Sequence, residues 1–168
     1  MADDLRITPR VARILTSEES VYGLILVSGM IVVSGTVAGT SLNALVTVTV
    51  TVLVFYLAHV YSGTLGRLAA TDDSAGLRAS LKAAARHSRG MLVASIVPLV
   101  ILLLGTTDLI DDTVAIWSAL IANTVLLGVL GWIVVARWSA RWWPRLVSAV
   151  ITAGFGLVLI ALKAFIHH

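Results

Sequence analysis

His59 lies inside an apolar run, Asn43–Gly66, long enough to cross a bilayer, and it is the one histidine of the chain at such a depth. Ionisable groups within membrane spans are functional candidates by default. Histidine changes charge near neutral pH, so the chemistry on offer is exchange of a proton or contact with an ion. The plainer reading is a neutral ring bonded to a neighbouring helix, or one that meets water near the interface. Asn43, Thr47, Thr51, Phe55 and His59 recur every four residues and resemble a polar lane. At about 100° per residue each step drifts roughly 40°, which leaves His59 about 160° from Asn43. Its neighbours on the helix face are Val48, Val52, Phe55, Gly63 and Gly66. That mostly apolar face with a small-residue end suits a helix contact better than a water-lined pore.

Any partner for His59 must come from another segment. Glu18 and Glu19 open the first apolar run, and Tyr22 follows one turn further in. A Glu19–His59 pair or a Tyr22 phenol contact would build a polar site. Against that, Thr16-Ser17-Glu18-Glu19 has the form of a capping box, which would direct Glu19 back to its own helix start. Asn123 sits near the middle of another run; a mid-membrane amide needs a partner, and interhelical bonding is the plainer role than a ligand contact. Asp108, Asp111 and Asp112 form an acidic loop, GTTDLIDDT, in which Asp111 or Asp112 caps the next helix rather than binding a cation. No metal site and no cofactor are expected. Arg78, Lys82, Arg86 and Arg89 recur at spacings of four, four and three, a basic face for anionic lipid headgroups or an acidic partner, with Leu77, Leu81 and Ala85 beside it. The same charges also serve simply to set topology. No phosphate loop, serine elbow or His/carboxylate metal spacing is present in the sequence, so nothing points to an enzyme.

The elements that must position these residues follow from composition. The chain is 58% hydrophobic and 12% charged with no cysteine, against about 25% charged for a soluble domain. Mean hydropathy is +0.98. The fold class is all-α, a polytopic membrane helix bundle forming one domain over residues 1–168. Five transmembrane helices are predicted at 21–38, 43–66, 91–105, 114–135 and 146–165. Residues 1–20 read as a short basic interfacial segment rather than a cleavable signal, and 74–89 as a cytoplasmic basic amphipathic helix. TVTVTV within 43–66 alternates like a strand. An unpaired strand in lipid would leave its backbone unsatisfied, so a helix is predicted, with threonine hydroxyls bonded one turn back. Pro98 falls within the third span and Gly35-x-x-x-Gly39 near the end of the first.

Lys and Arg fall as three before span one, none, five, none and three in the successive loops, and one in span five. Positive loops face the cytoplasm, which places the N-terminus inside and the C-terminus outside. Trp138, Trp142 and Trp143 form an inner aromatic belt, and Lys163 is expected to snorkel to the outer surface. Small residues on span one, and Ser148, Thr152 and Gly156 on span five, are candidate contacts between copies.

Val21-Tyr22-Gly23, Leu57-Ala58-His59-Val60-Tyr61, Pro98-Leu99 and Ala161-Leu162-Lys163 resemble small integral membrane proteins of high-GC Gram-positive bacteria (actinobacteria). The resemblance implies a multi-pass protein of a bacterial cytoplasmic membrane and no catalytic activity. It also implies a carboxylate just ahead of the third-span proline, where this chain has Val93-Ala94-Ser95. Three functions are consistent with the sequence. One is an oligomeric ion or proton channel or transporter using His59, Glu19, Tyr22 and Asn123. Another is a non-catalytic accessory or assembly subunit of a membrane complex. The third is a protein that binds anionic lipid at the cytoplasmic face through Arg78, Lys82, Arg86 and Arg89. Nucleic acid is not an expected partner.

Overall fold

The computed structural model describes residues 17–37, 39–70, 76–107 and 109–166. Every regular element among them is a helix: α1 Glu18–Val37, α2 Ser41–Ala70, α3 Leu77–His87, α4 Arg89–Gly105, α5 Asp112–Ala136 and α6 Trp142–Ile166. The segment 1–16, which holds most of the expected interfacial segment, lies outside the described residues, as do 74 and 75. Residues 18–20 belong to α1 rather than to that segment.

The threonine run is helical, as predicted. Thr49 donates to Leu45 O at 2.6 Å and Thr64 to Val60 O at 2.6 Å, so these hydroxyls are satisfied locally and need no partner across the bundle. Helices α2, α5 and α6 all start before the predicted apolar limits. Backbone bonding carries the helix past the apolar run and into its polar flank. Pro144 sits in the first turn of α6, where its missing N–H is not needed. α1 ends at Val37, and Gly39 lies beyond it with φ +65°. Gly39 is therefore a turn glycine and not half of a helix-contact motif.

Four stretches, Ser41–Ala70, Leu77–Gly105, Asp112–Ala136 and Trp142–Ile166, are long and apolar enough to cross a membrane. The second of these joins α3 to α4. Their junction is a single turn at Ser88, whose N–H still bonds Ala84 O at 3.0 Å. The basic helix α3 therefore runs almost directly into α4. It docks along the end of α2, with Gly63 facing Ala84 and the Tyr56 hydroxyl 3.4 Å from Ala85 O.

α1 is the enclosed helix and packs against α2, α4, α5 and α6. Its Val27, Ile31 and Val32 meet Val48 and Val52 of α2, Leu102 of α4 and Leu120 of α5. Nearer its start, Leu24 clusters with Ala94, Leu127 and Leu130. Large apolar side chains such as Val50, Leu57, Val150 and Val158 face outward. An exposed apolar surface of this extent suits lipid rather than water.

α6 lies at the edge of the bundle. Gly131 of α5 leaves room for Thr152 and the Ser148 carbonyl, and Gly156 of α6 leaves room for Thr124. The Ser148–Thr152–Gly156 stripe is therefore consumed inside the chain, not reserved for a second copy. Lys163 lies two turns beyond Gly156 on the same face. It is 2% exposed, with Nζ 5.7 Å from the centre of the Trp117 ring. The expected snorkelling is overturned, because the α6 face that carries Lys163 is turned into the bundle.

Candidate functional site

The start of α1, the end of α2, α3 and the start of α4 converge at one end of the bundle. There Glu19 is 5% exposed, and its Oε1 lies 2.6 Å from Nε2 of His87, the last residue of α3. The docking of α3 through Ala84 against Gly63 sets the height of His87 over the first turn of α1. His87 itself is 60% exposed, so the pair joins a buried carboxylate to a solvent-facing ring. Oε2 of Glu19 is buried with no hydrogen-bond partner. Glu18 stands beside it, exposed, and the ligand atoms of Glu18, Glu19 and His87 all lie within 4.8 Å of one another.

The capping box cannot be followed at its N-cap. Thr16 lies outside the described residues, and the Glu19 carboxylate is directed to another helix. The Ser17 hydroxyl lies 3.2 Å from that of Ser20.

His59 is half-buried against the Tyr22 ring, 5.4 Å between centroids, and its Nδ1 lies 3.3 Å from Phe55 O. A proton on Nδ1 would bond that carbonyl and leave Nε2 as an open lone pair. His59 and Glu19 share one cavity of about 440 Å³, also lined by Glu18, Ser62, Arg67 and His87. Glu19, for which a pair with His59 was one possibility, pairs instead with His87, while the two histidines line the same cavity. A Cβ on Gly23 would stand 2.9 Å from Met91 Cγ, so α1 and α4 touch one turn below Glu19.

Asn123 is elsewhere. It is fully buried, and its Nδ2 donates to Leu24 O and Ser28 Oγ, tying α5 to α1. At the opposite end, Asp111 caps α5 by accepting from Thr113 N at 2.8 Å. Asp112 accepts from Ser41 N at 2.8 Å and so caps α2 instead. Asp108 lies outside the described residues. Arg78, Lys82, Arg86 and Arg89 are all exposed along α3 and the start of α4, with Leu77 and Leu81 exposed beside them.

The site residue that sequence reasoning missed is His87. It follows the basic stripe at the end of a polar helix, where a histidine reads as one more solvated group. Only the docking of α3 brings it to Glu19. Two carboxylates and an imidazole, backed by a second imidazole, can hold a cation.

The class that fold and site define is an all-helical bundle of membrane-length apolar helices with a polar cavity at one end. Comparison with protein-family models, curated proteins and solved structures returns no match to this chain.

Proposed function

We propose that this chain is a small multi-pass protein of a bacterial cytoplasmic membrane that handles an ion, as a channel or transporter, through the cavity at its basic end. The observation that carries the reading is Glu19: a nine-tenths-buried carboxylate at the end of an apolar bundle, with one oxygen unpartnered beside an open cavity. Burying such a group without full compensation is costly, and ionisable residues held at membrane depth mark ion paths. α1, α2, α3–α4, α5 and α6 serve as five spans. The positive-inside bias sets the cavity toward the cytoplasm, with the N-terminus inside and the C-terminus outside.

Gly23 of α1 and Met91 of α4 are in close contact one turn beyond Glu19, and neither lines the cavity. A conduction route runs between copies of a homo-oligomer or opens by a change in the α1–α4 contact. Since the α6 stripe is already occupied, contacts between copies use other faces. The test is ion flux in liposomes holding the protein or Glu19→Gln. Glu19-dependent flux is expected. Equal flux from both, or none from either for protons and for mono- and divalent cations, overturns the reading.

A second reading is favoured by α3 itself. Its four cations are exposed beside Leu77 and Leu81, the arrangement of a helix lying against anionic headgroups. The chain would then be an accessory or assembly subunit anchored by lipid. Anionic-lipid retention unchanged after replacing Arg78, Lys82, Arg86 and Arg89 with Gln would remove it.

A further inference from the structure

We infer that Glu18, Glu19 and His87 form a binding site for a divalent transition-metal ion of the zinc, cobalt or iron class. The inference rests on the reading of the cavity as an ion site and names the ion.

Three observations converge. The ligand atoms of the three residues already lie within 4.8 Å of one another. Donors around one tetrahedral zinc-sized ion stand roughly 3.3–3.6 Å apart, given metal–ligand bonds of about 2.0–2.2 Å. Only the exposed Glu18 and the 60% exposed His87 need to turn to reach that spacing. Second, Glu19 is 5% exposed and its Oε2 has no partner. A carboxylate engaged only as an ion pair with His87 would leave that oxygen buried for nothing. A bound cation supplies the missing partner. Third, the donor types select the ion. Two carboxylates alone would suit magnesium or calcium, whereas an imidazole in the set shifts preference to borderline transition metals.

Three protein donors beside an open cavity of about 440 Å³ leave coordination positions free for water or an incoming group, the pattern of an exchangeable site rather than a closed structural one. The net −2 of the two carboxylates is set against the charge of Arg67 on the cavity wall. His59 stands further back, with Nδ1 facing Phe55 O at 3.3 Å. That contact orients a ring whose other nitrogen can bond a metal-bound water, the usual role of a second layer of groups around a metal.

Cobalt(II) is the probe, because its visible absorption reports ligand number and geometry. The full chain is purified without an affinity tag, in a His167→Ala/His168→Ala background so that the terminal histidines contribute nothing. One cobalt per chain is expected, displaced by zinc. Affinity falls at least about 100-fold in His87→Ala and Glu19→Gln, above the 10- to 100-fold typical of second-layer changes, and about tenfold in His59→Ala. Glu18→Gln, at an exposed position, weakens binding as well. No absorption band, or a band unaltered in Glu18→Gln and His87→Ala, overturns the inference. Glu19-dependent flux of protons or sodium without a cobalt band overturns it too, and leaves the ion-handling reading standing. A band without flux of any ion upholds the metal site and removes the channel or transporter.

Discussion

Glu19 on α1 and Asn123 on α5, which is bonded to α1, each keep one buried oxygen without a partner: Oε2 of Glu19 and Oδ1 of Asn123. They differ in what surrounds the defect. Asn123 uses its amide nitrogen to tie α5 to Leu24 and Ser28 of α1, deep among packed apolar side chains. Its unmet oxygen accompanies a bond that holds helices together. Glu19 spends its satisfied oxygen on a ring that is mostly in solvent, and it borders a cavity. An unpartnered atom in a packed interior is a tolerated cost; in Glu19 it belongs to a side chain that also lines a cavity, where a ligand can approach it. Ser80 supplies a third case, a hydroxyl buried under α3 with no partner and no part in the cavity wall.

The comparison can be broken at several points. The largest effect is expected from Gly131→Leu, which drives a side chain into Thr152 and the Ser148 carbonyl. Loss of about 3 kcal/mol is expected, the upper end for overpacking, read as a lowered midpoint of unfolding in detergent. A stable variant would show that the α5–α6 seam yields. Asn123→Ala should cost about 1–2 kcal/mol, the range for a membrane hydrogen bond, while cobalt binding stays intact. A loss of binding with stability unchanged would invert the roles of the two sites. Ser80→Ala removes a buried hydroxyl that gains nothing and should stabilise by about 1 kcal/mol; destabilisation would mean that Ser80 does bond in the folded protein. Glu19→Gln keeps the shape and removes a buried charge, so its stability should lie within about 1 kcal/mol of the original, with flux abolished. A strongly destabilised Glu19→Gln would make Glu19 a structural group like Asn123.

Much of the fold is legible in the chain because apolar runs of membrane length and the turns between them are local features. The helical reading of TVTVTV follows from backbone bonding alone, and the Asn123 tie follows from the expense of a bare amide in lipid. What was hidden depends on how helices rotate and dock. Lys163 looked like a snorkelling residue because chain position says it is near an end, not which way its face turns. The Glu19–His87 pair was hidden for two reasons. Thr16-x-x-Glu19 offered a local partner, and His87 reaches α1 only because α3 settles against the end of α2. The fold was written in segment lengths, whereas the site was written in contacts between a polar helix and two apolar ones.

Asp112 has a consequence for the order in which the molecule is completed. The amide that opens α2, Ser41 N, is bonded by a side chain 71 residues further along. A chain made from its N-terminus must thread α2 and α4 before α5 arrives to supply that carboxylate. Until then the first turn of α2 relies on water. The start of α2 is thus finished by α5 after α2 has been laid down, so a truncation ahead of Asp112 would leave the earlier helices made but the first turn of α2 uncapped.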